Sequence, residues 1–326
     1  MTLQSLLKIT LVFTLMVILM GAYTRLSDAG LGCPDWPGCY GHLTVPDEAH
    51  ELSKVEINFP EHTVEPEKAW LEMIHRYIAG TLGLLVLGIL ILCLRSQDTP
   101  KRLPIFIALL ILFQAALGMW TVTMKLMPIV VMSHLIGGFT LFALLLLLYL
   151  RTGAFRIPGG DSKARALLPL ALVALGVLVI QIMLGGWTSS NYAALACTQL
   201  PLCEGNWFDN LRFADAFSPF QGQHPSFEYG VLDYATRMTI HVSHRIWGLV
   251  TALTLLWLAF KLFSAQSQVM RSSAYLLVVL VLVQIGLGIS NVVMHLPLGI
   301  AVSHNGGAAL LLLNLVFINY ALWRKA

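Results

Sequence analysis

The sequence predicts an all-α integral membrane protein, with eight transmembrane helices arranged as two tandem, pseudo-symmetric four-helix bundles. Three observations lead there. Of 326 residues, 57% are hydrophobic and only 11% charged, whereas a water-soluble chain carries about 25% charged residues. Mean hydropathy is +0.76, and the apolar residues fall in blocks of about twenty, the length that crosses a bilayer as helix. The third observation is that the chain repeats itself. A net charge of +3, with no basic stripe and no aromatic-rich polar patch, argues against nucleic acid as a partner.

The spans fall at 5–23, 70–94, 103–122, 128–150, 166–187, 236–262, 272–292 and 299–323. The first has the length of a secretory signal, but it lacks a small-x-small cleavage site and has an internal counterpart, so we read it as a retained helix. Loops 24–69 and 188–235, after the first and fifth spans, are long and hold nine and five acids. The links after the second, fourth and sixth spans are short and basic: Arg95, Lys101 and Arg102; Arg151, Arg156, Lys163 and Arg165; Lys261 and Arg271. With Lys8, Arg324 and Lys325 this side holds 12 of the 20 Lys and Arg, against two acids, Asp98 and Asp161. The positive-inside rule then predicts a multi-pass protein of the cell (inner) membrane, with both termini cytoplasmic and the long cysteine-bearing loops outside.

Matched features define the repeat. Thr24 stands nine residues before Cys33 and Thr188 nine before Cys197; Cys33 to Cys39 and Cys197 to Cys203 are both steps of six. His75-Arg76 opens the second span and His244-Arg245 the sixth, 169 residues on. Gln114, Leu117-Gly118 and His134 are matched by Gln284, Leu287-Gly288 and His304, each 170 residues later. Each unit has an even number of spans, so the two run in the same sense across the membrane. We place the units at 1–155 and 156–326, each large enough to enclose a cofactor between its helices.

Ten histidines are present. His42, His50, His62, His224, His241 and His295 sit in loops or near span edges. His75, His134, His244 and His304 each lie five to eight residues inside the outward end of an even-numbered span, hence at a common depth of about 7–12 Å. Ionisable residues in spans are costly and usually functional. A lone one could simply be bonded to a backbone carbonyl, but four at matched depth in matched repeats point to ligation. Zinc would need further ligands, and no cysteine lies at this depth. Haem iron needs only two axial imidazoles, and its macrocycle fills apolar space between helices. We therefore pair His75 with His134 and His244 with His304. Gly80, Gly83, Gly137, Gly138, Gly248, Gly306 and Gly307 would let a flat ring approach the backbone, or would serve close helix contact. Arg76 and Arg245, at the rim, are candidates for haem propionates, with interfacial snorkelling as the alternative.

The pairs Cys33/Cys39 and Cys197/Cys203 fall in a compartment that permits disulfides. Each would close a short proline-containing loop, either as a staple shaping a lid or as a redox-active couple. Cys93, at the inner end of the second span, reads as inert. The halves differ at one place: Glu72 precedes His75 by three residues, where the second half has His241. That spacing puts Glu72 on the His75 face, one turn outward. A carboxylate there could act as acid, base or charge stabiliser, or pair with Arg76 or Arg25. The asymmetry suggests chemistry in the first half and electron movement in the second.

Glu72-Met-Ile-His75-Arg76, Ser133-His134, Ser243-His244-Arg245, Ser303-His304-Asn305-Gly306-Gly307 and the twin cysteine pairs resemble the haem A synthases, over essentially the whole chain and of the cysteine-containing type. The resemblance implies an eight-span duplicated bundle that oxidises the C8 methyl of haem O to a formyl, giving haem A for terminal oxidases. It implies that His75 and His134 hold the substrate haem, with Glu72 essential beside it, and that His244 and His304 hold a resident haem B. The partners it implies are a haem O synthase as donor, the terminal oxidase assembly line, and an electron acceptor or quinone pool; a homo-oligomer is left open. The rival reading is a bis-histidine diheme cytochrome b exchanging electrons with quinone. A transporter would want polar, broken helices at mid-bilayer, and these spans are apolar there.

Overall fold

The computed structural model describes residues 2–153, 155 and 162–324, with the side chains of Ser162 and Lys163 left out. The sequence expectations for Arg156, Asp161 and Lys325, for the Lys163 side chain, and for the boundary between the halves fall outside what is described.

Among the described residues, eight helices are long and apolar enough to span a membrane: α1 (Leu3–Leu26), α3 (Pro66–Arg95), α4 (Arg102–Thr123), α5 (Pro128–Thr152), α7 (Leu168–Ser190), α9 (Tyr234–Leu262), α10 (Gln268–Val293) and α11 (Leu298–Trp323). The expected spans match them one for one, with ends agreeing to within four residues; α7 begins two residues later than expected. Short helices α2 (Ala49–Asn58), α6 (Ser162–Arg165) and α8 (Phe213–Ala216) lie in the connections, and no strand occurs among the described residues. This is the all-α membrane architecture, as expected. Helix starts follow local chemistry. Pro66 and Pro128 open α3 and α5, where a missing N–H is harmless, and the Asp233 carboxylate caps α9 by accepting from the Thr236 amide at 2.8 Å. At the opposite ends, basic residues hold carbonyls: Lys101 Nζ donates to the Cys93 carbonyl at 2.5 Å, and Arg271 to Ala265 at 2.8 Å.

Helices α1, α3, α4 and α5 touch in a closed ring, as do α7, α9, α10 and α11. The two rings meet through α1, α5, α7 and α11, with α11 the most enclosed helix of all. Toward the basic-loop side each ring is filled by aliphatic side chains. Leu7, Val86, Ile89, Ile107, Leu145 and Leu148 fill the first, and Leu178, Leu255, Leu258, Met270, Leu277 and Leu315 lie in the second. Leu82, Leu141 and Leu311 each lie seven residues past a histidine of the set, so this filling begins about 10 Å below the histidine layer. Each bundle is thus closed at one end and carries its histidines at the other.

The repeat is visible in the backbone. The α4–α5 turn has Lys125 and Leu126 at positive φ, closed by Leu126 N–H to the Thr121 carbonyl at 2.8 Å; the α10–α11 turn has His295 and Leu296 at positive φ, closed by Leu296 N–H to Asn291 at 2.7 Å. Equal turns start α5 and α11 in equal register, which brings His134 and His304 to equal height.

Candidate functional site

Helices α3 and α5 carry His75 and His134, and α9 and α11 carry His244 and His304. The structure brings them together as paired in the sequence: His75 lies within electrostatic reach of His134, and His244 of His304. All four side chains are only half-buried. Yet Nδ1 of His75, His134 and His304 is enclosed without a hydrogen-bond partner. His134 and His304 turn toward the backbone of Gln114 and Gln284 without closing a bond of normal geometry. His244 Nδ1 alone has a side-chain partner, Gln181 Nε2 at 3.2 Å.

Each imidazole lies against a glycine of the preceding spanning helix. A Cβ at Gly21 would meet the His75 ring at 2.8 Å; at Gly118 it would meet His134 at 3.6 Å, at Gly185 His244 at 3.2 Å, and at Gly288 His304 at 3.2 Å. An alanine at Gly21 would displace the His75 ring, one at Gly185 or Gly288 would press His244 or His304 by a few tenths of an ångström, and one at Gly118 would only touch His134. The glycines named from sequence do not back the histidines. Gly137, Gly248 and Gly307 make room for glutamines, Gly306 for Leu19 of α1, and a Cβ at Gly80, Gly83 or Gly138 would meet nothing within 4 Å.

Two imidazoles per bundle, with no third metal donor grouped with them among the described residues, suit an iron that brings four equatorial ligands of its own. Among the described residues, Cys197, Cys203 and Glu204 form a trio close enough to bind an ion, but their sulfurs are joined to each other. The half-open rings, enclosed Nδ1 atoms and glycine-backed walls fit a bis-histidine haem in each bundle.

Over each bundle lies a cysteine loop. Cys33–Cys39 and Cys197–Cys203 are bonded, each with Cα atoms 4.8 Å apart. The arginines expected at propionates are engaged with these loops. Arg76 donates to the carbonyls of Pro37 (3.2 Å) and Gly38 and to the Glu72 carboxylate. Arg245 donates to the carbonyls of Gln199 (2.6 Å), Cys197 (2.6 Å) and Leu202, and through Nε to His241 Nε2 at 3.0 Å. Glu72 and His241 therefore occupy matching places as i,i+4 partners of the two arginines. Glu72 is 5% exposed, and its second oxygen accepts from the Cys33 amide at 2.9 Å. Of the two arginines considered for it, Arg76 is the partner. Arg25 instead crosses to the other half, donating to the Ser189 carbonyl at 2.9 Å with its guanidinium 4.1 Å from the Tyr192 ring centre.

Sequence reasoning missed Gln181, Gly21 and Gly185 as neighbours of the histidines. Gly21 and Gly185 share the 164-residue offset of the cysteine pairs, a signal that was present.

A model of the cytochrome oxidase assembly protein family, COX15-CtaA, matches residues 4–316. The chain is 72% identical to a Shewanella oneidensis protein named Heme A synthase, over 100% of this chain and 98% of the relative. Proteins of that name from Caulobacter vibrioides (28% identical, 93% of this chain and 90% of the relative) and Rhizorhabdus wittichii (27%, 97% and 92%) are also similar.

Proposed function

The chain belongs to the cytochrome oxidase assembly protein family, and on that premise we propose that it is a haem A synthase, an oxidoreductase converting the C8 methyl of haem O to a formyl group. The observation that carries the reading is the pair of two-histidine sites, alike in ligands but unlike one turn outward, where Glu72 stands in one half and His241 in the other.

In this reading residues 1–155 form the substrate half, where His75 and His134 hold haem O as substrate. Residues 156–326 form the second half, where His244 and His304 hold a resident haem B. When bound, that group supplies a one-electron carrier. Methyl to aldehyde is two successive two-electron oxidations of one carbon, each taking one oxygen from water and releasing two protons and two electrons: the first gives the alcohol, the second the geminal diol, which loses water. The electrons leave to an acceptor or the quinone pool.

The chain's own work is binding, orientation and proton management. The paired imidazoles fix the ring, and the aliphatic filling below and the loops above limit water. Glu72, at the junction of loop and α3, stabilises positive charge at the substrate edge or takes a proton there. Arg76 and Arg245 act on the propionate edge through the loops they hold and through the donors left free. Both termini and the basic loops lie in the cytoplasm, with the cysteine loops outside. A haem O synthase delivers the substrate, and terminal oxidase assembly takes the product.

The test is the pigment of the protein purified from cells that make haem O, identified by absorption and mass. Haem O or haem A together with haem B is expected. Haem B alone would move the reading to a diheme electron carrier.

A further inference from the structure

Three glutamines of the bundles press against glycines. A Cβ at Gly137 would stand 1.8 Å from Gln114, at Gly307 2.2 Å from Gln284, and at Gly248 3.2 Å from Gln181. Gln114 and Gln284 are repeat mates, but Gln181 has none. At the 164-residue offset that aligns Gly21 with Gly185, its counterpart is Val17; at the 169-residue offset that aligns His75 with His244, the counterpart of Gly248 is Ala79. The first half therefore lacks both the amide and the hole that admits it. The consequence falls on the histidines: His75 Nδ1 is enclosed with no partner, while Gln181 Nε2 is 3.2 Å from both Nδ1 and the carbonyl oxygen of His244.

We propose that Gln181 is a positioning residue that fixes the ring and tautomer of His244, making the second-half site a retaining haem site, while Val17 and Ala79 leave His75 unanchored so that its haem can enter and leave. The proposal rests on the assignment of resident and substrate haems above. An imidazole that binds iron through Nε2 carries its proton on Nδ1, and only an acceptor can receive it. The Gln181 Oε1 is enclosed and has no competing partner. Rotation of the side-chain end exchanges amide nitrogen and oxygen, so when Nδ1 carries the proton this oxygen accepts from it and the bond from Nε2 to the His244 carbonyl is given up. An acceptor in that place orients the ligand and raises its basicity. A permanent electron carrier needs such a ligand, whereas a substrate that must leave as product is better held without one.

The experiment uses full-length protein carrying Gln181→Leu, which keeps bulk without the amide, and Gln181→Glu, which restores an acceptor. Apomyoglobin is the trap for released haem, and the low-spin haem B electron paramagnetic resonance signal and midpoint potential are the spectroscopic readouts. Gln181→Leu should speed haem B loss about 10–100-fold, raise the midpoint potential and shift the low-spin signal; Gln181→Glu should reverse all three. Unchanged loss rate, potential and signal in Gln181→Leu would overturn the proposal. So would loss of haem from both variants, which would mark Gln181 as space-filling only. His244→Ala is the control on the underlying assignment. If it keeps haem B, the assignment fails; if it loses haem B while Gln181→Leu behaves as wild type, only the positioning role fails.

Discussion

Glu72 is buried at the head of α3 with both carboxylate oxygens engaged, one by Arg76 and one by the Cys33 amide. Gln in its place retains an oxygen for the Cys33 amide and loses only the charge, so the loop should stay docked. If the carboxylate acts in the oxidation, Glu72→Gln should still bind haem, while haem A yield falls by about 100-fold or more. Haem O or its hydroxylated intermediate should accumulate. Pigment extraction and mass measurement check this, and wild-type haem A would reduce Glu72 to a partner of Arg76. Arg76→Ala separates the two roles, because it releases the loop carbonyls but leaves the carboxylate in place. Among the histidines, His244→Ala and His304→Ala should each abolish the low-spin haem B signal, since a bis-imidazole iron cannot keep that state with one ligand missing. Full haem B occupancy in either variant would dissolve the pair.

At the scale of elements, the two cysteine loops are held by the same three devices. A disulfide closes each, an arginine from the helix below donates to its carbonyls, and an acid binds its amides. Asp35 accepts from Tyr40 and Gly41 at 2.6 and 2.8 Å, and Glu204 from Thr198 and Gln199 at 2.7 and 3.0 Å. Each crosslink contributes about 2–3 kcal/mol by restricting the unfolded loop. Denatured, unreduced protein should show one reactive thiol, the buried Cys93, and five after reduction. Five before reduction would contradict both bridges. Because Arg245 holds three carbonyls of the 197–203 loop, Arg245→Ala should expose that disulfide and speed its reduction by dithiothreitol several-fold. An unaltered reduction rate would show that the loop needs no such anchor.

Across the whole molecule, the two rings of helices share α1, α5, α7 and α11 as their seam. Arg25 ties the outer end of α1 to α7, and the Phe227 amide of the second long loop donates to Lys125 of the first half at 3.0 Å. Applied to the charge asymmetry, the positive-inside rule predicts cytoplasmic termini. Reporter fusions at either terminus should therefore be active only in the form that requires a cytoplasmic location. A membrane-impermeant thiol reagent applied to reduced cells should label the loop cysteines and spare Cys93. A periplasmically active terminal fusion would invert the topology.

The spans, the duplication and the four histidines were legible in the sequence because each is local or periodic. Hydropathy marks a span within twenty residues, and a repeated step such as His134 to His304 needs no coordinates. The pairing of the histidines followed from the repeat as well, and the helix rings bring those same pairs together. The neighbours of each histidine were not legible. Gly21 against His75, Gln181 against His244, and Arg76 and Arg245 turned up into the cysteine loops are contacts between residues far apart in the chain. They depend on how far each helix is rotated about its own axis when it meets its neighbours. Side-chain fit across the whole bundle sets that rotation, and the order of residues along any one helix leaves it open. The sequence by itself therefore determined which residues are candidates for the site and where along their helices they lie, and tertiary structure alone decided what each of them touches.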